Sequence, residues 1–92
     1  MGYNGKYRTK SGRNYFRWSF EQQSNGEVRA YITDQASYRG RATDGHSTHR
    51  YGFGGRKYIC FEPMPTTLDD AIKVAKAWAE KTERYIETGD EF

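Results

Sequence analysis

The sequence predicts an α+β domain, a three- or four-stranded antiparallel sheet with one C-terminal helix packed on one face. Three observations carry that expectation. Large apolar residues alternate at Phe16, Trp18 and Phe20 and again at Val28, Ala30 and Ile32, the period of half-buried strands. The turn residues Ser24-Asn25-Gly26 stand between the two runs. Beyond Pro63 and Pro65 the period becomes helical, with Leu68, Ala71, Ile72, Ala75, Trp78, Ala79, Tyr85 and Ile86 on one stripe.

Residues 1–14 (MGYNGKYRTKSGRN) contain four basic residues and three glycines but no acid and no aliphatic side chain beyond Met1. Such a segment buries too little to offset its ordering entropy and reads as a flexible basic arm. The domain then spans residues 15–88, in the order β-β-(β)-β-α, followed by an acidic tail over residues 89–92.

The first hairpin runs from Tyr15 to Thr33, and its loop length decides its register. A two-residue Asn-Gly turn would set Phe20 opposite Tyr31 and place Ile32 on the face of Ser19. A three-residue loop, with Gly26 left-handed, sets Phe20 opposite Ala30, Trp18 opposite Ile32 and Glu21 opposite Arg29. Only the second register gives one clean apolar face, so the three-residue loop is expected. The other face then shows Tyr15, Arg17, Ser19, Arg29, Tyr31 and Thr33.

Asp34 to Gly45 lacks periodicity and carries Arg39-Gly40-Arg41, so it reads as a loop. His46 to Glu62 reads as a second hairpin turning at Gly54-Gly55. Ile59 and Phe61 are expected to face the core, with Arg56 and Tyr58 on the same side as Arg29 and Tyr31. The helix opens with Thr66 or Thr67 as its cap and Asp69 and Asp70 in its first turn, where the helix dipole favours acids. Gly89 suits its C-terminal end. Opposite charges four apart (Asp69 and Lys73, Lys76 and Glu80, Glu80 and Arg84) are expected to pair along the exposed face.

Ninety-two residues make one small domain with a lean core, since Leu, Ile, Val and Phe together supply 12 of them. Aromatic residues at 16% must provide the rest, each buried ring removing about 150–250 Å² from water. The single cysteine, Cys60, excludes an internal disulfide. No apolar run reaches the roughly 18–20 residues of a membrane span and no signal-peptide core follows Met1. The expected location is cytoplasmic.

Charge is divided along the chain. Residues 1–58 hold eleven Lys and Arg against four acids, a net +7, and seven of the eight tyrosines; residues 59–92 hold four against eight, a net −4. Basic residues interleaved with aromatic ones attract polyanions and offer rings on which bases stack. The expected binding set is Lys6, Arg8, Lys10 and Arg13 on the arm, Arg17, Arg29, Tyr31, Arg56 and Tyr58 on the sheet face, Arg39 and Arg41 on the loop, and Arg50 and Tyr51 beside them. Six to eight of these cations meeting phosphates of duplex DNA would give log K against log salt a slope of about −5 to −7.

Catalytic signatures are sparse. His46 and His49 lie three apart without a Cys or acid cluster at ligand spacing, whereas zinc takes at least three protein ligands. No third group orients a Cys60–His49 nucleophile pair, and Gly52-x-Gly54-Gly55 lies between strands rather than opening a helix, as a phosphate-binding loop does. No metal, cofactor or small-molecule substrate is expected.

Strands followed by a helix opening on Phe…Pro-Thr-Thr-Leu-Asp-Asp-Ala form a layout similar to that of AP2-like domains and the arm-binding domains of phage integrases. In those domains the sheet face enters the major groove. The likeness is one of element order and carries no residue roles. The sequence thus reads first as a non-enzymatic module binding DNA or RNA. The alternative is a small phage or mobile-element inhibitor of the anti-CRISPR type, acting on a host protein or protein–nucleic-acid complex.

Overall fold

A computed structural model describes residues 2–92. Its elements are β1 (Gly2–Arg8), β2 (Tyr15–Gln22), β3 (Val28–Asp34), a short α1 (Gly45–Thr48), β4 (Arg50–Phe53), β5 (Arg56–Ile59) and α2 (Leu68–Thr88). The strands form one antiparallel sheet in the order β1-β2-β3-β5-β4. With α2 at the C-terminal end the arrangement is α+β as expected, with five strands instead of three or four.

The additional strand is the segment read as a mobile arm. Of that segment, Met1 lies outside the described residues. Gly2–Arg8 pairs along its whole length with β2, from Gly2 opposite Glu21 to Arg8 opposite Tyr15. Aromatic residues replace the missing aliphatic ones. Tyr7 stacks on Trp18 with ring centroids 6.3 Å apart, and Tyr3 meets Phe20 at 6.0 Å. Gly5 lies between them because a Cβ there would stand 3.1 Å from the Phe20 ring. Tyrosine and glycine on alternate positions are thus a strand pattern written without aliphatic side chains.

The β2–β3 hairpin has the three-residue loop. Phe20 faces Ala30, Trp18 faces Ile32, Glu21 faces Arg29, and Gly26 is left-handed at φ 92°. The register shifts between Arg17 and Trp18, so Arg17 pairs with Asp34. This bulge lies beside the basic part of the face described below.

The core sits between the inner sheet face and α2. Phe16, Trp18, Phe20, Val28, Ala30 and Ile59 meet Ala71, Ala75, Trp78 and Ala79. Alanine on the helix lets its axis approach the large rings of the sheet; Phe16 and Trp78 meet edge to face at 5.5 Å. Thr67 caps α2, its hydroxyl accepting from the Asp70 amide, and Gly89 closes it in the left-handed region. Phe61 departs from expectation. Strand β5 ends at Ile59, alternation ends with it, and Phe61 is 44% exposed.

Residues 46–48 are helical, not the start of a strand. Asp44 caps α1 by accepting from the Ser47 amide, and His49 leaves it with φ 54°. The Trp78 indole then donates to the Thr48 carbonyl at 2.9 Å. A second buried cluster, Tyr38 with Tyr85 and Ile86, holds the 35–44 connection against α2. The tail is also engaged: Phe92 packs against both clusters and stacks on His49.

Candidate functional site

Helix α2 covers one face of the sheet and leaves the other uncovered. On that outer face strand alternation gathers residues from all five strands. Lys6 of β1 lies directly opposite Arg17 of β2, and Arg8 opposite Tyr15. Like charges facing each other across a strand pair repel. Among the described residues no carboxylate lies within ion-pair distance of Lys6, Arg8 or Arg17. Arg8 and Arg17 both approach the Tyr15 ring, each 5.9 Å from its centroid. Two open depressions adjoin here, one lined by Asn4, Lys6, Arg17 and Thr33, the other by Lys6, Arg8, Tyr15 and Arg17.

Beside this basic end lies an arginine–tyrosine lattice. Tyr31 of β3, Tyr58 of β5 and Tyr51 of β4 occupy one row across the sheet, with edge-to-face contacts at 5.5 and 5.9 Å. The Arg56 guanidinium covers Tyr31 at 3.8 Å, and that of Arg29 covers Tyr58 at 4.3 Å. Such contacts hold a cation in place while leaving its outer plane open. Glu21 accepts from Arg56, and the Arg29 guanidinium donates to the Tyr31 hydroxyl. That hydrogen bond, together with the partial charges of both phenols and Glu27, holds the Arg29 pKa above its ordinary value against the opposing effect of burial.

Eight of the thirteen sequence-nominated residues therefore share one face: Lys6, Arg8, Arg17, Arg29, Tyr31, Tyr51, Arg56 and Tyr58. The other five do not join it. Arg13 makes a two-pronged ion pair with Glu87. Arg41 donates to the carbonyls of Ile86 and Glu87, closing the C-terminal end of α2. Arg50, on the core side of β4, donates to Thr48, Gln35 and Thr43 and covers the Tyr38 ring at 4.9 Å. Lys10 is exposed at the β1–β2 turn, where its backbone amide donates to Glu80. Arg39 is exposed in the connecting loop. The Arg-Gly-Arg loop is thus half anchor, because a guanidinium is the donor best matched to a helix's unpaired carbonyls.

Tyr15, Ser19 and Thr33, expected on this face but not in the binding set, belong to it, and Asn4, not expected there, joins them. Asn4 pairs with Ser19, which pairs in turn with Tyr31. The pattern that reveals Asn4 is the alternation of Tyr3, Gly5 and Tyr7 with Asn4, Lys6 and Arg8. Among the described residues no cluster of three or more His, Cys, Asp or Glu side chains is arranged to hold a metal ion.

Comparison of the chain with protein-family models, with curated proteins and with solved structures finds no match.

Proposed function

We propose that this protein is a nucleic-acid-binding module and that the outer sheet face is its binding surface. The observation that carries the reading is Lys6 facing Arg17 across β1 and β2 with, among the described residues, no carboxylate in ion-pair reach. Other arginines do meet carboxylates, Arg13 with Glu87 off the face and, on it, Arg56 with Glu21 and Arg29 with Glu27. Two facing cations left unpaired beside aromatic rings relieve their repulsion when an anion lies between them. A phosphodiester backbone supplies anions at regular spacing, and its bases supply faces for Tyr15 and Tyr51. On this reading the module works without catalysis and in the cytoplasm, alone or as part of an inhibitor acting on a host protein–nucleic-acid complex.

The face presents five of the ten nominated cations, Lys6, Arg8, Arg17, Arg29 and Arg56, because Arg13, Arg41 and Arg50 are engaged elsewhere and Lys10 and Arg39 lie off it. Of the five, Arg29 and Arg56 already meet Glu27 and Glu21. Log K against log salt should then slope no more steeply than about −4.5 on a duplex and about −3.5 on a single strand. The test is fluorescence anisotropy with labelled oligonucleotides, comparing the natural chain with the Lys6→Glu/Arg17→Glu variant. Binding that weakens with salt, and that the variant loses while its circular dichroism is unchanged, supports the reading. Equal binding by both proteins overturns this surface. Failure of the natural chain to bind at low salt overturns the function and favours a protein target reached through the same anchors.

A further inference from the structure

We infer that the outer face takes a single strand of nucleic acid rather than a duplex. This inference rests on the functional reading above and names its ligand. The cations of the face run from β1 to β5, three strand spacings of about 4.8 Å or roughly 14 Å apart. The major groove of B-DNA is about 12 Å wide and admits a helix or a two-stranded ribbon. Cations spread over four strands, from β1 to β5, stand wider apart than such a groove and do not all fit within it. The narrower projections are poorly equipped for the task. The β2–β3 tip, Ser24-Asn25-Gly26, carries no cation, and at the β1–β2 tip the Arg13 guanidinium is held by Glu87, which leaves Lys10 alone. The exposed side of α2 mixes Asp69 and Asp70 with Lys73 and Lys76.

The same width suits an unpaired strand lying across the sheet. Tyr15 on β2 and Tyr51 on β4 are 45% and 50% exposed, and three strand spacings separate β2 from β4. Between them the Arg56 guanidinium, seated on Tyr31 at 3.8 Å, presents a further flat surface. Rings and guanidinium planes stack on the faces of unpaired bases, faces that a duplex keeps inside its own stack. Lys6 and Arg17 lie where the backbone of such a strand would run. Because stacking tolerates any base, the face takes DNA or RNA with little sequence preference.

The experiment compares a labelled mixed-sequence DNA strand, the RNA of the same sequence and the blunt DNA duplex of that strand, by anisotropy with the full chain across a salt series. The expected result is binding of a single strand about ten-fold or more tighter than the duplex, with the two single-stranded arms identifying the preferred sugar. Tyr51→Ala should weaken single-strand binding about five-fold or more, while Tyr51→Phe, which keeps the ring, should not. Circular dichroism on both variants confirms that the fold is kept. Duplex binding as tight as or tighter than single-strand binding overturns this inference and leaves the nucleic-acid reading standing. Equal single-strand affinity for natural chain, Tyr51→Ala and Tyr15→Ala overturns the stacking geometry. Absence of binding to all three probes at low salt overturns both proposals.

Discussion

Asn14 donates its side-chain amide to the Glu83 carboxylate at 2.6 Å, joining the turn between β1 and β2 to the C-terminal half of α2. The same carboxylate accepts from Thr9 at 2.7 Å and from Ser11 at 2.9 Å. Glu83 is only 7% exposed, so burial pushes its pKa up. The hydrogen bonds from Asn14, Thr9 and Ser11, aided by Arg13, outweigh burial and hold it below the ordinary glutamate range. The carboxylate fixes an edge strand that has few apolar contacts of its own.

Removing this anchor has a defined cost. Glu83→Ala strands the Asn14 and Thr9 donors in a buried site and should destabilise the fold by about 2–4 kcal/mol, read by urea denaturation. Because the folded pKa is depressed, the stabilisation is present above the unfolded value near 4.3 and is lost as pH falls through the folded one. Glu83→Gln should therefore flatten the acid limb of stability against pH. An unchanged acid limb in that variant would remove Glu83 from the account.

At the alkaline end Tyr7 governs. Its hydroxyl donates to Glu80 at 2.5 Å, and that bond, with burial and the charges of Glu80 and Glu83, pushes its pKa up to about 12. A raised folded pKa gives stability that is full below the unfolded value near 10 and is lost as pH rises through about 12. Ultraviolet titration at the phenolate band should show a late component that Tyr7→Phe reduces by one tyrosine, the rest belonging to Tyr38 and Tyr51, which are also raised. This contact also replaces an expected pairing, for Glu80 accepts from Tyr7 and from the Lys10 amide rather than closing an ion pair with Lys76 or Arg84.

Arg39 and Arg41 should separate cleanly. Arg41→Glu places a carboxylate against the negative end of α2 and removes two hydrogen bonds, lowering stability by about 1–3 kcal/mol and Tm by several degrees. Arg39→Glu, in an exposed stretch, should leave the thermal transition within about 0.5 kcal/mol of the natural chain. Equal thermal effects would mean that Arg41 does not close the helix.

Gly52 is a backbone requirement. Its φ is 118°, and a Cβ there would lie 2.3 Å from the Arg56 carbonyl oxygen. Gly52→Ala should cost about 2–4 kcal/mol by displacing β4 from β5. It should also disturb the row that Tyr51 shares with Tyr58. Gly54→Ala, where nothing lies within 4 Å of the added carbon, should cost less.

The hairpin and the helix were legible in the residues because both are written locally. The parity of Phe16, Trp18, Phe20, Val28, Ala30 and Ile32 admits one register, and Thr67, Asp69, Asp70 and Gly89 mark the helix ends. The side of the sheet that Arg29, Tyr31, Arg56 and Tyr58 occupy follows from the same alternation. Misreadings arose where a short element or a distant partner decides. Four helical residues at Gly45–Thr48 leave no periodic trace, and β1 is held by Phe20 and Trp18 and by acids of α2.

By its alternation the sequence alone determined an antiparallel sheet with one apolar face and one basic, aromatic face, closed by a capped amphipathic helix. Tertiary structure alone decided which cations remain available on the outer face. Arg13 and Glu87, and Arg41 and Ile86, lie far apart in the chain, and no local pattern records whether two such groups meet. Periodicity reports which way a side chain points. Whether its charge is neutralised depends on what folding brings opposite it.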